Sequence, residues 1–189
     1  FLDCYSPSNS QAKSISREAF DYSMNVVPYA LRYNDGSEIN SFFNRSLDLF
    51  FSWIQKLPFQ YDTTTKRTYL IRILLYLSQI FLNPSFKSRI NDFCNNIRLC
   101  FLCDDEALND EVKHTLIKTL IIGCLDLKDS LPEFRIMSQL LMELIVLYVT
   151  NEKPGWADDI IQNLIPLFKY KEFILIVVES FSASYFRAI

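Results

Sequence analysis

Asn83-Pro84-Ser85-Phe86-Lys87-Ser88-Arg89-Ile90-Asn91-Asp92-Phe93-Cys94-Asn95-Asn96-Ile97-Arg98-Leu99-Cys100-Phe101 reads as one amphipathic helix. Asn83 supplies a capping oxygen, and Pro84 carries the fixed φ that suits a first helical position. Phe86, Ile90, Phe93, Ile97 and Phe101 recur at spacings of three and four, which places them on one inward face. Lys87, Asn91, Asn95 and Arg98 fall on the opposite, outward face. A helix with one apolar stripe leaves that stripe wet unless a neighbour covers it. The rest of the chain must therefore supply neighbours.

It does so at a regular interval. Breaks occur at Asn34-Asp35-Gly36, Pro58 to Asp62, Asn83-Pro84, Asp104 to Asp110, Lys128 to Pro132 and Asn151 to Gly155. They recur about every 23 residues, and helical periodicity fills the gaps. Upstream, a helix is expected from about Ser16 to Arg32, kinked or broken at Pro28. A second, from Ser37 to Lys56, carries Phe42, Phe43, Leu47, Phe50, Phe51 and Ile54 at helical spacing. Its aromatics read either as core or, in part, as anchors for a partner. A third is capped by Asp62 or Thr63 and extends to Leu82. It is apolar nearly all round, which predicts a central place.

Downstream, Asn109 caps a fifth helix whose stripe is Val112, Leu116, Leu120, Ile121 and Cys124. Ser130-Leu131-Pro132-Glu133 matches a capping box that opens a sixth, whose body, Phe134 to Thr150, is another candidate for a central place. Pro154-Gly155 breaks the chain before a seventh helix from Trp156 to Tyr170, stopped or kinked at Pro166. The last helix spans Glu172 to Phe186. Phe173 to Val178 has strand-like composition, but a lone strand would have nothing to pair with, so helix is expected there too.

The 189 residues suffice for one domain with a real core. Residues 1–13 read as a flexible lead-in and 14–189 as a single all-α domain of seven or eight antiparallel helices in stacked pairs. Hydrophobic residues make up 50% and aromatics 15%, with 16 Phe and 10 Tyr. That excess demands a large core or apolar surface meant for a partner. Only Gly36, Gly123 and Gly155 occur, too few for a glycine-rich phosphate loop. The net charge of -3 creates no global basic field. The first residue, Phe1, suggests an excised or processed chain. The longest apolar run, Phe134 to Val149, is interrupted by Arg135, Ser138, Gln139 and Glu143. It reads as a buried helix rather than a membrane span.

Five cysteines, Cys4, Cys94, Cys100, Cys103 and Cys124, form an odd set inside helical patterns. They suggest reduced, core-packed thiols in the nucleus or cytoplasm. Cys94, Cys100 and Cys103 with His114 have the ligand types for zinc. The six-residue spacing, however, turns Cys94 and Cys100 about 120° apart on a helix, which favours buried thiols. His114 is the lone histidine and reads as solvated beside Lys113 and Lys118, so no nucleophile–imidazole grouping can be argued. Asp158-Asp159 falls in an opening helical turn, where negative charge is favourable, and Asp104-Asp105-Glu106 in a loop. Neither reads as catalytic, and no cofactor is expected.

Two surfaces remain. Lys66, Arg67, Arg72, Lys87, Arg89, Arg98, Lys113 and Lys118 could align across stacked helices into a basic stripe. They read first as a solvated face, then as a site for an acidic protein, then for nucleic acid. The two terminal helices of a stack keep one open face each. Phe20, Tyr22 and Tyr29 at one end, and Phe181, Tyr185 and Phe186 at the other, are the candidate protein contacts.

This rhythm resembles the HEAT and armadillo repeats, whose units span roughly 40 to 47 residues. Pro28, and Pro166 within Asn163-Leu164-Ile165-Pro166-Leu167, resemble the kinked first helix of a HEAT unit. The resemblance implies a non-catalytic scaffold that docks another protein or the rest of its own full-length chain, with nucleic acid as the alternative. No membrane partner is implied.

Overall fold

The computed structural model describes residues 18–22, 24–26, 40–57, 59–102, 108–149 and 154–187, without the side chains of 40–42, 149, 154–156 and 183–187. The lead-in 1–13, Cys4, Pro28 and its kink, Tyr29, Asn34-Asp35-Gly36, Cys103 and the loop Asp104-Asp105-Glu106 lie outside the described residues, as do the side chains of Phe42, Tyr185 and Phe186.

The helices begin where side chains supply missing backbone acceptors. We label the helical residues 18–22 and 24–26 α1, followed by α2 (Asn40–Gln55) and α3 (Thr63–Ser78). Asp62 caps α3 by accepting from the Thr65 amide at 3.0 Å and its hydroxyl at 2.6 Å. α3 stops four residues before the expected Leu82. Ile80 N–H turns back to Leu77 O and Asn83 N–H to Ile80 O, and Asn83 must be extended ahead of Pro84.

Asn83 then caps α4 (Pro84–Lys87), its side chain accepting from Ser85 N–H at 2.9 Å. The expected single fourth helix is two. The Ser88 hydroxyl donates to Ser85 O, Arg89 N–H bonds Phe86 O, and the chain restarts as α5 (Ile90–Leu102). The inward set survives the break, with Phe86, Ile90, Phe93, Ile97 and Phe101 all buried.

Asn109 caps α6 (Asp110–Asp126) by accepting from Val112 N–H at 3.2 Å. α7 (Leu131–Val149) starts after Ser130, whose carbonyl accepts Phe134 N–H. The Ser130 hydroxyl takes up Lys87 Nζ at 2.8 Å, which ties the start of α7 to α4. α8 (Pro154–Leu164) includes Pro154-Gly155 in its first turn instead of breaking there, because proline is tolerated at a helix start. Pro166 does stop it, converting the chain to a 3₁₀ segment (Ile165–Lys169) before α9 (Lys171–Arg187). Phe173 to Val178 is helical, and no strand occurs among the described residues.

The packing runs in two rows. In the first, α2 packs on α5, α5 on α7 and α7 on α9. In the second, α3 packs on α6 and α6 on α8. The α2–α3 and α6–α7 contacts, and the 3₁₀ segment between α8 and α9, join the rows. This is an all-α arrangement of packed, repeat-like helix pairs. α6 and α7 share the centre, α6 touching α3, α7, α8 and the 3₁₀ segment, and α7 touching α5, α6 and α9. α3, expected there, instead packs mainly on α2 and α6, and its Leu75 is 46% exposed.

One continuous core runs from Phe20 and Met24 to Phe173 and Ile176. Its densest point is the triangle of Phe81, Phe86 and Phe93, whose ring centroids lie 5.1 to 5.7 Å apart, edge to face. Burying each ring fully stabilises the fold by ~2–3 kcal/mol. Phe43, Phe50, Phe51 and Trp53 are all buried, so these aromatics of α2 are core rather than anchors. No helix among the described residues is long and apolar enough to cross a membrane.

Candidate interaction surfaces

The expected basic stripe is largely absorbed by the joints between helices. Arg89, in the α4–α5 turn, reaches α2. Its Nη2 lies 2.5 Å from Asp48 Oδ1, its Nη1 donates to Asn44 O at 3.1 Å, and its guanidinium stacks 5.2 Å from the Phe51 ring centre. Nε also meets Asp92 at 3.1 Å. Arg98 bridges α5 to α7 with a two-pronged contact to Glu143, Nε and Nη2 lying 2.8 to 3.1 Å from its oxygens. That contact raises the Arg98 pKa further. Lys118 binds Asp159 at 2.8 Å, Lys113 sits over the Phe101 ring, and Lys87 reaches Ser130. Lys66 and Arg67 are half-buried and Arg72 is exposed on α3.

His114 is not solvated as expected. It is half-buried on α6, with Nε2 2.6 Å from Asp159 Oδ2 on α8. Asp159 gathers His114, Lys118 and the Asn163 amide. Hydrogen bonds from Lys118 and then His114 hold its carboxyl below the ordinary range. Because α8 begins at Pro154, Asp158 and Asp159 lie past its opening turn. Asp159 works across the joint rather than on the helix dipole.

The thiols of Cys94, Cys100 and Cys124 are buried and form no disulfide. Burial pushes the Cys94 and Cys124 pKa values up to about 12. Among the described residues no three potential metal ligands converge.

A shallow polar concavity of about 290 Å³ opens between α2 and α5, lined by Asp48, Ser52, Gln55, Arg89, Asp92 and Asn95 among others. Asp48 and Asp92 hold Arg89, Gln55 donates to Asn96, and the Ser52 hydroxyl donates to Leu49 O at 2.8 Å. No imidazole lines it. Most of its polar groups thus bond to one another.

The ends of the rows differ. At the α1 end, Phe20 is fully buried against Trp53, Phe59, Tyr61 and Tyr69, which corrects its assignment as a contact. Asp21 beside it accepts hydrogen bonds from the Tyr61 and Tyr69 hydroxyls, which pins α1 down. Tyr22 is exposed at 67%, with Val26 one turn later also exposed.

Toward the α9 end, exposed apolar side chains occur on α8, the 3₁₀ segment and α9. Phe181 is 57% exposed, and so is Val178. Ile174 and Leu175 are exposed a turn earlier, and Ile161, Ile165 and Phe168 are exposed on α8 and the 3₁₀ segment. Phe181 is among the expected contacts, and the other exposed side chains are not. α9 is apolar around most of its circumference, so periodicity alone does not mark which side α7 covers.

No protein-family model, curated protein or solved structure matches this chain.

Proposed function

We propose that this protein is a non-catalytic docking subunit of a larger intracellular assembly, built as a HEAT- or armadillo-like helical repeat. The single observation that carries this reading is the run of exposed apolar side chains across α8, the 3₁₀ segment and α9. An α-helix in a two-row stack is normally covered on both flanks by its row neighbours. α9 presents to solvent the flank a further element would cover. Burying such side chains at an interface is what drives stable protein association. Reduced, buried thiols fit a nuclear or cytoplasmic setting.

The nucleic-acid alternative draws less support. Arg89, Arg98 and Lys118 each meet a carboxylate, which leaves fewer cations to follow a phosphate backbone.

The experiment is a comparison of partners retained in moderate salt by the wild type, by Val178→Asp/Phe181→Asp and by Arg72→Glu. Loss in the first variant alone supports docking through α9. Equal retention by all three overturns it. A salt-sensitive nucleic-acid complex lost in Arg72→Glu would favour the alternative.

A further inference from the structure

We propose that the α9 face pairs with the same face of a second copy of this chain, antiparallel, about a two-fold axis near Leu175. This rests on the reading of α9 as a docking surface and goes further by naming the occupant.

The argument is charge complementarity. Lys171 and Glu179 are both exposed on α9. They lie four residues before and four residues after Leu175, itself 45% exposed. Steps of four keep all three on neighbouring positions of one helix surface, spread over about 12 Å. In an antiparallel pair centred on Leu175, Lys171 of each copy lies across from Glu179 of the other. The same centring places Leu175 against its own counterpart, with Ile174 and Val178 beside it. It carries Phe181 toward the second copy's 3₁₀ corner, where Phe168 and the cationic Lys169 are exposed. Leu175 meets its own counterpart, and Lys171 meets Glu179 twice over. A two-fold interface requires that self-matching. Glu172, the other acid at this end, already faces Arg135 within its own chain, 3.5 Å away. It does not disturb the pattern.

Sedimentation equilibrium of the intact chain across the micromolar range tests this. The wild type is expected to dimerise. Lys171→Glu and Glu179→Lys, each shown to be folded by circular dichroism, should each weaken the dimer about tenfold or more, because both symmetry-related contacts become repulsive. An equimolar mixture of the two single variants should recover a heterodimer, since both contacts then pair opposite charges. The double variant should recover the homodimer for the same reason. A wild type that stays monomeric overturns the proposal. So does a dimer indifferent to the single reversals, or a mixture that fails to associate. A monomer that still loses a retained protein on Val178→Asp/Phe181→Asp would overturn the self-pairing and leave docking intact. A charge-dependent dimer that retains no other protein would support the self-pairing and remove the wider scaffold reading.

Discussion

Gly123 and Asp159 show how single positions set the spacing of helices. A Cβ at Gly123 would sit 3.0 Å from the Phe81 ring and 3.2 Å from the Met137 terminal methyl. Alanine is favoured over glycine in a helix by about 1 kcal/mol. Phe81, however, is fully buried and wedged between Phe86 and Phe93, so it has no room to withdraw. We expect Gly123→Ala to destabilise the fold by about 1 kcal/mol, overpacking exceeding the helix gain. In a Phe81→Leu background the same change should become neutral or stabilising. Denaturant unfolding of the four chains measures this. Asp159 gives a pH signature. Its pKa is lowered in the fold, so its contribution is complete above its ordinary value of 3.8 and fades as pH falls through the folded value. Asp159→Asn should therefore lower the melting temperature modestly at neutral pH. The gap from wild type should close in strong acid. A gap that stays constant with pH would contradict the assignment.

Elements are joined by both burial and paired charge, and these differ in weight. The Arg98–Glu143 contact ties α5 to α7, but both side chains are more than a third exposed. Solvent screening limits such pairs, so a double-mutant cycle should return a coupling of about 0.5 kcal/mol that shrinks as salt rises. Phe93, on the same helix, is fully buried between Phe81, Phe86 and Phe51. Phe93→Ala should cost ~3–5 kcal/mol, independent of salt. The pair thus helps fix how α5 sits on α7, while the aromatic supplies most of the adhesion.

For the whole molecule, the two rows predict an unequal response to substitution on α9. Val178 and Phe181 are exposed in the single chain, so at concentrations where the chain is monomeric Val178→Asp/Phe181→Asp should leave unfolding within about 0.5 kcal/mol of wild type. Ile176, on the covered side of the same helix, is buried, and Ile176→Ala should cost ~2–4 kcal/mol. Equal destabilisation by both would mean that α9 packs differently from the arrangement described.

Helical class, most caps and the inward face of 83–101 were legible in the chain because they are local. Asp62, Asn83 and Asn109 act on amides two or three residues away, and a 3.6-residue period needs no knowledge of the fold. The burial of Phe20 by four rings of distant sequence was not legible. Neither were the capture of Arg89, Arg98 and Lys118 by acids 41 to 45 residues away and the open flank of α9. Those depend on which helix lies beside which. A greasy stripe states that it must be covered, whereas only the packed molecule decides which stripes find cover and which stay open to solvent.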